Sequence, residues 1–329
     1  MEDRIFTNST NQNETRHEQA MRPKDFSEYI GQKRVVENIE LMVRSAIKRE
    51  AAMDHVLLSG PPGLGKTSLA MIIADTLGTE LHTISGPAIE RKGDLAAVLT
   101  NIQPRDVLFI DEIHRMHISV EEILYSAMED YRLDILIGEG ASARTMQIDL
   151  APFSLIGATT RSGLLSNPLR DRFMAHLNFE FYQPSDLAEI LRANCKKLKI
   201  NLEEEALLMI ASRSRGTPRI ANRILRRVRD FAIVDDEDSV TSSKVQKALD
   251  LLDIDELGLD STDRKILKVI ADYYSGGPVG IEALSATLGE DRQTIEEVYE
   301  PYLLKEGLLV RTPRGRCLSD KAKLHLKSN

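Results

Sequence analysis

Positions 60–67 carry the residues Gly-Pro-Pro-Gly-Leu-Gly-Lys-Thr, which match the spacing of a phosphate-binding loop. The loop follows an apolar run at 55–58 and opens a helical pattern, the context that this motif requires. Glycines let backbone N–H groups converge on phosphate oxygens, and a helix N-terminus favours negative charge. Lys66 would contact the terminal phosphates, and the Thr67 hydroxyl would bind Mg²⁺. The alternative, a glycine-rich turn with an exposed lysine, is disfavoured by the complete motif.

Two adjacent carboxylates follow a second apolar run at 107–110. In an open parallel sheet, ligands bind at the carboxyl ends of the strands. Asp111 would hold Mg²⁺ through water, while Glu112 would orient and deprotonate the attacking water. Alone, such a pair would more often be a surface turn, but together with the phosphate-binding loop it predicts ATP hydrolysis.

Further polar residues lie where hydrolysis needs partners. Thr159 and Thr160 follow a third apolar run at 153–157, and either hydroxyl could position the lytic water. The segment 170–173 contains two arginines, one of which could enter a neighbouring subunit's site and stabilise charge on the transferring phosphoryl group. The alternative is a surface ion pair with Asp171, and spacing alone favours that alternative.

The elements that position these groups can be read from the pattern of apolar residues. From 25 to 182, short apolar runs alternate with helical patterns, which predicts a parallel sheet covered on both faces. The segment 133–150 alternates instead and contains glycines near its middle, so we interpret it as a projecting β-hairpin. The fold class is therefore α/β, with a P-loop parallel-sheet domain over 1–182, of which 1–20 would be a flexible tail.

Two smaller domains are predicted after the sheet. Residues 183–253 show only helical patterns, with a last helix at 239–252, and form a small all-helical lid domain. Residues 256–329 predict helices at 262–273, 281–288 and 293–304, followed by a β-hairpin. This order of elements is typical of a winged-helix domain.

Composition bounds the class of protein. A length of 329 residues suggests two or three domains, and 42% apolar with 29% charged residues excludes a mostly disordered chain, a collagen and a coiled-coil rod. Two cysteines, without a C-x-x-C or His cluster, indicate neither a disulfide framework nor a metal site. The polar start lacks the core of a signal peptide, and no apolar run approaches about 18 residues, so we expect a cytoplasmic protein that does not contact a membrane.

The net charge of −8 means that any contact with nucleic acid requires a local basic patch. Residues 305–329 hold seven basic and two acidic side chains, and three arginines bracket the predicted hairpin turn: Arg311, Arg314 and Arg316. The helix that usually enters the major groove carries Glu296, Glu297 and Glu300, which would repel phosphates. We therefore expect the wing to bind phosphates without reading sequence. A solvated basic tail is the alternative.

A second basic cluster, 213–229, has seven arginines and no acidic residue. Three of them recur every four residues, at Arg219, Arg223 and Arg227, and could line one helix face toward the nucleotide. The others could pair across domains. We assign this cluster to nucleotide sensing and subunit pairing ahead of DNA binding.

Several longer segments make the chain similar to the RuvB family, the AAA+ motors of Holliday-junction branch migration. The matching segments are RPKDFSEYIGQ (22–32), GPPGLGKT (60–67), GDLAAVLTN (93–101), VLFIDEIHR (107–115), AMEDYRLDILIGEG (127–140), LIGATTR (155–161), PLRDRF (168–173), RGTPRIANRILRRVRDFA (215–232) and RTPRGR (311–316). The resemblance covers nearly the whole chain. The phosphate loop and the acidic pair belong to all AAA+ proteins, whereas the segments at 127–140, 215–232 and 311–316 are far more specific to this family.

The resemblance implies a homohexameric ring around duplex DNA that binds ATP and Mg²⁺ between subunits and drives branch migration in recombination, DNA repair and the SOS response. The hairpin 133–148 would bind RuvA, and the RuvC resolvase would join the larger complex. Holliday-junction or duplex DNA would be contacted independently of sequence.

Roles can be carried over by matching position. Catalysis would use Asp111, Glu112, Thr160 and, from the neighbouring subunit, Arg172. ATP would be contacted by Met21, Arg22, Gly63, Gly65, Lys66, Thr67, Ser68, Glu129, Asp130, Tyr131, Arg172, Tyr182 and the sensor arginine Arg219. Mg²⁺ would bind Thr67 and Asp111. The chain departs from the family at Ser68, where Thr is usual, and at Met174, where Gly is usual.

Two alternative functions would retain ATP hydrolysis but would not involve continuous movement along DNA. One is a regulator that remodels transcription machinery while its winged helix holds a specific DNA site. The acidic residues of the would-be recognition helix argue against that reading. The other is a ring loader that binds DNA without stepping along it.

Overall fold

The computed structural model describes residues 20–137, 144–234 and 239–328. Contacts divide the chain into two units. The sheet unit contains the residues up to Gly60 and Gly65–Glu180, and the helical unit contains Pro61–Leu64 and the residues from Phe181 onward.

A five-stranded parallel sheet forms the centre of the sheet unit. Its strands are β1 (Val56–Ser59), β2 (Leu81–Ser85), β3 (Val107–Asp111), β6 (Ser154–Thr159) and β7 (Ala175–Asn178), with β4 (Arg132–Ile137) and β5 (Arg144–Asp149) forming a separate hairpin. The strand order is β2-β3-β6-β1-β7. Strands β1 and β6 are buried along their whole length, as expected for continuous apolar runs covered on both faces.

The register of the sheet aligns the carboxyl ends of the strands. Ser59 of β1 pairs with Thr159 of β6, and Ser85 of β2 pairs with Asp111 of β3. Because β6 lies between β1 and β3, the residues that follow these three strands emerge at one edge. Gly157 in β6 keeps this centre tight, since a Cβ there would lie only 3.0 Å from the Phe173 ring.

The helices of the sheet unit that lie wholly within the described residues are α1 (Lys33–Arg49), α2 (Lys66–Leu77), α3 (Lys92–Asn101), α4 (Ile118–Glu129) and α5 (Asn167–Arg170). Short 3₁₀ turns at Gly86–Ala88, Ile113–Arg115 and Ser162–Leu164 connect them. Helix α1 buries Val35, Ile39, Val43 and Ala46, one face at helical spacing. The core beneath α3 and α4 includes Leu95, Leu99 and Leu124.

The predicted hairpin forms where expected. Strands β4 and β5 pair antiparallel, from Arg132 opposite Asp149 to Ile137 opposite Arg144. Leu133 is buried and joins the core of the sheet unit. The predicted turn with Gly138 and Gly140 lies outside the described residues.

The first part of the helical unit consists of α6 (Pro184–Leu198), α7 (Glu204–Ser212), α8 (Pro218–Val234) and α9 (Ser242–Leu251). Helix α8 buries Ile224, Leu225 and Val228, which share one face at helical spacing. The last helix begins at Ser242 rather than at 239, because Val240 accepts from the Glu203 N–H and donates to Asn201 O. The predicted acidic loop at 235–238 lies outside the described residues.

The second part of the helical unit has the predicted winged-helix order: α10 (Ser261–Tyr274), α11 (Ile281–Leu288), α12 (Arg292–Thr294), a π turn (Ile295–Tyr299), α13 (Glu300–Lys305), β8 (Leu309–Thr312), β9 (Gly315–Leu318) and α14 (Asp320–Ser328). The sequence predicts one helix over 293–304. The chain departs from it through the π turn, next to Pro301, which has no N–H for an ordinary helical bond. Helix α14 was not predicted, and its Ala322 is buried against the core.

The arginines of the 213–229 cluster have varied partners. Arg215 is buried and lies 2.9 Å from Asp263 and 3.2 Å from Asp260 at the start of α10, which ties the two parts of the helical unit together. Burial raises the pKa of Asp263 to about 7, although the charge of Arg215 opposes that rise. Arg227 and Arg229 pair with Asp230. The expectation of pairing across domains is therefore confirmed for Arg215.

None of the helices in the described parts of the chain combines the length and apolar character needed to cross a membrane.

A buried histidine joins β1, β6 and the end of α4. His55 accepts the Leu155 N–H at Nδ1 (2.9 Å), so its Nε2–H donates to Met128 O (3.1 Å). The imidazole also packs 5.7 Å from the Phe153 ring, centre to centre. Burial lowers the pKa of His55, and the bond to Met128 and the charge of Asp54 only partly oppose this. The folded protein therefore holds His55 neutral.

We expect the free energy of unfolding to fall as the pH drops below about 6.5, because the unfolded chain then binds a proton that folded His55 resists, at up to about 1.4 kcal/mol per pH unit. In His55→Gln the amide can replace both hydrogen bonds but does not titrate. Urea midpoints measured between about pH 7.5 and about pH 5.5 should therefore fall less in the variant than in the wild type. Equal pH slopes would contradict the neutral buried imidazole.

Candidate functional site

The phosphate-binding loop joins β1 to α2 and depends on glycine at both ends. Gly60 has φ +140°, and a Cβ there would lie 2.6 Å from Phe179 O. Gly65 has φ +102°, and a Cβ there would lie 2.6 Å from the Tyr29 hydroxyl, which donates to Gly65 O at 3.3 Å. A side chain is excluded at both positions, so backbone N–H groups can approach a ligand closely.

Lys66 places a cation inside this loop. The residue is only 8% exposed, and its Nζ donates to Gly60 O at 2.7 Å. Lys66 also begins α2, whose first N–H groups favour an anion. Thr67 follows in the first turn and is partly exposed. A glycine cradle, a buried ammonium and a helix N-terminus together fit a polyphosphate.

The middle of the loop, Pro61–Leu64, belongs to the helical unit and contacts two of the predicted ATP ligands there. The Arg219 N–H bonds to Gly63 O at 3.4 Å, and the Tyr182 hydroxyl donates to Leu64 O at 3.2 Å. Gly63 has φ +80°, and a Cβ there would lie 3.0 Å from Arg219 Cβ. Both residues that the resemblance assigns to the nucleotide therefore touch the loop itself.

The acidic pair lies at the end of β3. Asp111 is partly exposed and accepts the Glu112 N–H at 3.0 Å. Glu112 has φ +49°, so the backbone leaves the extended conformation of the strand at this residue. Its carboxylate accepts from Arg115 Nη1 at 2.9 Å, so the proposed base is held in an ion pair. Gly86 supports this turn, because a Cβ there would lie 2.4 Å from Glu112 O.

The two threonines at the end of β6 differ in their surroundings. Thr159 is 1% exposed, its hydroxyl bonds to His114 Nδ1 at 3.0 Å, and it accepts the Arg161 N–H at 2.9 Å. Thr160 is the next residue and is partly exposed. The Thr159 hydroxyl is therefore committed to the protein interior.

Arg172 has its carboxylate partner on α4 rather than at the neighbouring Asp171. Its Nη2 donates to Glu129 Oε2 at 2.7 Å, and its Nη1 donates to Pro168 O at 2.7 Å. The guanidinium also lies 4.8 Å from the centre of the Tyr125 ring. Three groups thus hold Arg172 in one orientation, and the structure joins two residues that the resemblance assigns separately to the nucleotide.

The remaining residues that the resemblance assigns to ATP all lie in the sheet unit, and three of them have contacts there with other side chains. Asp130 pairs with Arg132 at 3.1 Å, and Tyr131 packs edge-on against His55 and Phe153. Met21 is 4% exposed. Arg22 donates to the Met71 sulfur on α2 at 3.1 Å, and Ser68 on the same helix is partly exposed.

The predicted DNA interface differs from expectation in one respect. All three wing arginines were predicted to contact DNA, but Arg316 is buried. It donates to Glu300 (Nε to Oε1, 3.0 Å) and to Glu296 (Nη2 to Oε1, 2.8 Å). Burial opposes its charge, but hydrogen bonds and attraction from Glu300 and Glu296 prevail and raise the pKa of Arg316. Arg311 and Arg314 are exposed.

The expectation that Glu300 presents a repulsive charge to DNA is wrong, because this residue is 2% exposed and its charge is paired with two arginines. The sequence shows that the residue lies in a helix. It does not show which face of that helix packs under the wing.

Family models match the chain in three consecutive segments. These are the Holliday junction DNA helicase RuvB P-loop domain over residues 21–179, the RuvB AAA lid domain over 182–255 and the RuvB C-terminal winged helix domain over 256–327. The chain belongs to the RuvB family.

Individual relatives support this family assignment. The Holliday junction branch migration complex subunit RuvB of Myxococcus xanthus is 56% identical over 314 residues, 95% of this chain and 92% of that protein. The corresponding subunit of Clostridium kluyveri is 55% identical over 325 residues, 99% and 93% of the two chains. The solved Thermotoga maritima RuvB Holliday junction branch migration motor superposes with a TM-score of 0.87 at 51% identity and covers 94% of this chain and 98% of that one. These matches confirm the predicted fold class.

Within this RuvB chain, sequence reasoning missed several supports of the site. Arg115 follows Glu112 by three residues, a spacing that could have indicated the ion pair. Tyr29 is 36 positions away from Gly65, and His114 is 45 positions away from Thr159, so no local pattern could have indicated these contacts.

We expect Gly86→Ala to displace the Glu112 backbone and to slow ATP turnover, with a stability loss of about 1–3 kcal/mol from overpacking. Gly93→Ala is the matched control, because a Cβ there meets nothing within 4 Å and alanine favours helix α3. Thermal unfolding and phosphate release would be measured for both variants. Wild-type turnover and stability in Gly86→Ala would show that the close approach does not position Glu112.

Proposed function

We propose that this chain is the ATP-hydrolysing subunit of a motor that moves Holliday junctions and pulls duplex DNA. The observation that carries the proposal is the buried Lys66 ammonium in its glycine cradle, at the sheet edge that also bears Asp111 and Glu112. A winged-helix domain with exposed arginines on its wing lies in the same chain. This combination suits a DNA motor better than a simple nucleotide-binding module.

The phosphates of ATP would bind the backbone of the loop and Lys66, and Ser68 would lie in the same helical turn. Thr67 and Asp111 carry the oxygen ligands that Mg²⁺ prefers and would hold this ion. When bound, Mg²⁺ neutralises charge on the phosphate oxygens. The chain itself would hold the phosphates in place and would position the Asp111 and Glu112 carboxylates at the end of β3.

Glu112 would accept a proton from the attacking water, and Arg115 would fix the orientation of its carboxylate. Thr160 is our choice for the threonine that positions this water, since it is partly exposed whereas Thr159 is buried. Met21, Arg22 and Tyr182 would border the adenine. Arg219 would report the state of the nucleotide, because its backbone N–H already bonds to the loop at Gly63.

The ring would be a homohexamer with ATP at each subunit interface. Arg172 would enter the neighbouring site and stabilise negative charge on the transferring phosphoryl group. Its bond to Glu129 fixes the orientation of the guanidinium, and Asp130 and Tyr131 would border the same interface.

The hairpin 133–148 would bind RuvA, and RuvC would join the assembly on the junction. The wing would bind phosphates without reading sequence, as a motor that passes over any DNA requires. We propose domain boundaries of 1–182, 183–253 and 256–329. The change from parallel sheet to helices after β7 and the turns between α9 and α10 support them.

The test is branch migration of a synthetic four-way junction by the full-length protein with RuvA, ATP and Mg²⁺. We expect conversion of the junction into two duplex products, and Lys66→Ala should abolish it by removing the cation in the phosphate loop. A junction that stays in place while ATP is hydrolysed at a normal rate would reject the motor and favour a ring loader.

We expect Arg172→Ala to bind ATP but to hydrolyse it about 10³-fold more slowly, the scale of arginine fingers in related chemistry. Asp111→Asn should also be inactive, because the amide lacks the negative charge with which the carboxylate would hold Mg²⁺. Mixing the two variants should restore turnover, since some interfaces then combine an intact Asp111 with an intact Arg172 from the neighbour. Mixed rings without recovered phosphate release would argue that Arg172 acts within its own chain.

A further inference from the structure

Two arginines of the wing converge on one buried carboxylate. Arg311 in β8 and Arg316 in β9 are directly opposite in the hairpin register. Arg311 donates to Glu300 through Nε (3.0 Å) and Nη2 (2.9 Å), and Arg316 donates through Nε (3.0 Å) and Nη2 (3.0 Å). One carboxylate thus accepts four charge-assisted hydrogen bonds.

This arrangement offsets two separate electrostatic costs. Like charges directly opposite in a hairpin repel each other, and a carboxylate that is 2% exposed is costly without partners. Glu300 brings one negative charge between two positive charges and so removes both costs. The geometry explains why two arginines can occupy one cross-strand pair.

The two arginines depend on Glu300 to different degrees. Arg316 has a second carboxylate partner in Glu296, which also lies 3.6 Å from Arg292. Among the described residues, Arg311 has Glu300 as its single ion-pair partner. Loss of the Glu300 carboxylate would therefore release Arg311 and leave Arg316 anchored.

The pairing of Arg311 leaves one side of its guanidinium available. Nε and Nη2 face Glu300, while the Arg311 side chain as a whole is 54% exposed. A guanidinium offers two edges, and a carboxylate that occupies one edge orients the other. Arg311 Nη1 makes no hydrogen bond to any described residue, so this edge of the oriented guanidinium is left for a ligand.

We propose that Glu300 is a positioning residue for DNA binding, which holds Arg311 so that its Nη1 edge meets a phosphate. The inference rests on the proposed function, in which the wing contacts DNA. It gives the exposed arginine a fixed orientation, so that less side-chain freedom is lost on binding.

The proposal predicts that removing the negative charge of Glu300 weakens DNA binding, which is opposite to the effect expected from net charge alone. Removing a negative charge from a DNA-binding domain should strengthen binding if only the overall charge matters. If Glu300 positions Arg311, Glu300→Gln should instead weaken binding, because an amide oxygen pairs poorly with two guanidinium groups. Glu296→Gln is the matched control, since it removes the same charge from the same helical segment without touching Arg311.

The experiment measures binding of the full-length protein to a fluorescent random-sequence duplex over a series of salt concentrations, with thermal unfolding measured in parallel. We expect Glu300→Gln to weaken binding about 5- to 10-fold and to make the salt dependence shallower by about one phosphate contact. Glu296→Gln should leave the salt slope unchanged. Equal or tighter binding by Glu300→Gln, with the slope of the wild type, would overturn the proposal.

Further variants distinguish the positioning role of Glu300 from the contact between the wing and DNA. Arg311→Ala and Arg314→Ala should each weaken binding and flatten the salt slope. If neither does, the proposed wing contact fails, and the role of Glu300 fails with it. If both do while Glu300→Gln does not, only the positioning role is wrong.

A second variant tests the positioning role if Glu300→Gln does not fold stably. If Glu300→Gln unfolds at low temperature, Arg311→Lys replaces it, because lysine keeps the charge but cannot form the paired hydrogen bonds to Glu300. We expect the same loss of affinity and the same shallower slope in this variant. Wild-type affinity and slope would overturn the proposal.

Discussion

The in-register pairing of β1, β6 and β3 is the constraint on which the rest of the sheet unit depends. Ser59 pairs with Thr159, and Ile110, next to Asp111, pairs with Gly157, so the phosphate loop, the threonines and the acidic pair all emerge at one edge. A slip of one residue would turn every side chain of the shifted strand to the opposite face and separate these groups. The tight packing around Gly157 helps to keep this register.

A second theme is that the cations to which we assign functional roles are held on protein oxygens. Lys66 donates to Gly60 O, Arg172 to Glu129 and Arg311 to Glu300. Each contact orients a long, flexible side chain that would otherwise lose considerable entropy when it binds a phosphate. The same contacts also limit self-repulsion among positive charges. Nucleotide binding, subunit assembly and DNA binding would thus rely on one physical device.

Much of the fold could be predicted from sequence. The apolar runs predicted β1, β3 and β6, and the helical patterns at 262–273 and 281–288 predicted α10 and α11 with nearly the observed bounds. Strands β2 and β7 were missed because their exposure alternates and their residues form no continuous apolar run. The π turn before Pro301 and helix α14 were also missed, since packing against the winged-helix core decides both.

The sequence by itself determined which groups carry the chemistry, because motifs such as 60–67 and 111–112 depend on neighbours a few positions apart. Tertiary structure decided which charges remain exposed. Arg172 finds Glu129 43 positions away, and Arg316 is buried on Glu300 16 positions away, while Arg311 keeps one edge in solvent. No local pattern contains such pairs, because ion pairing depends on distance and burial in three dimensions.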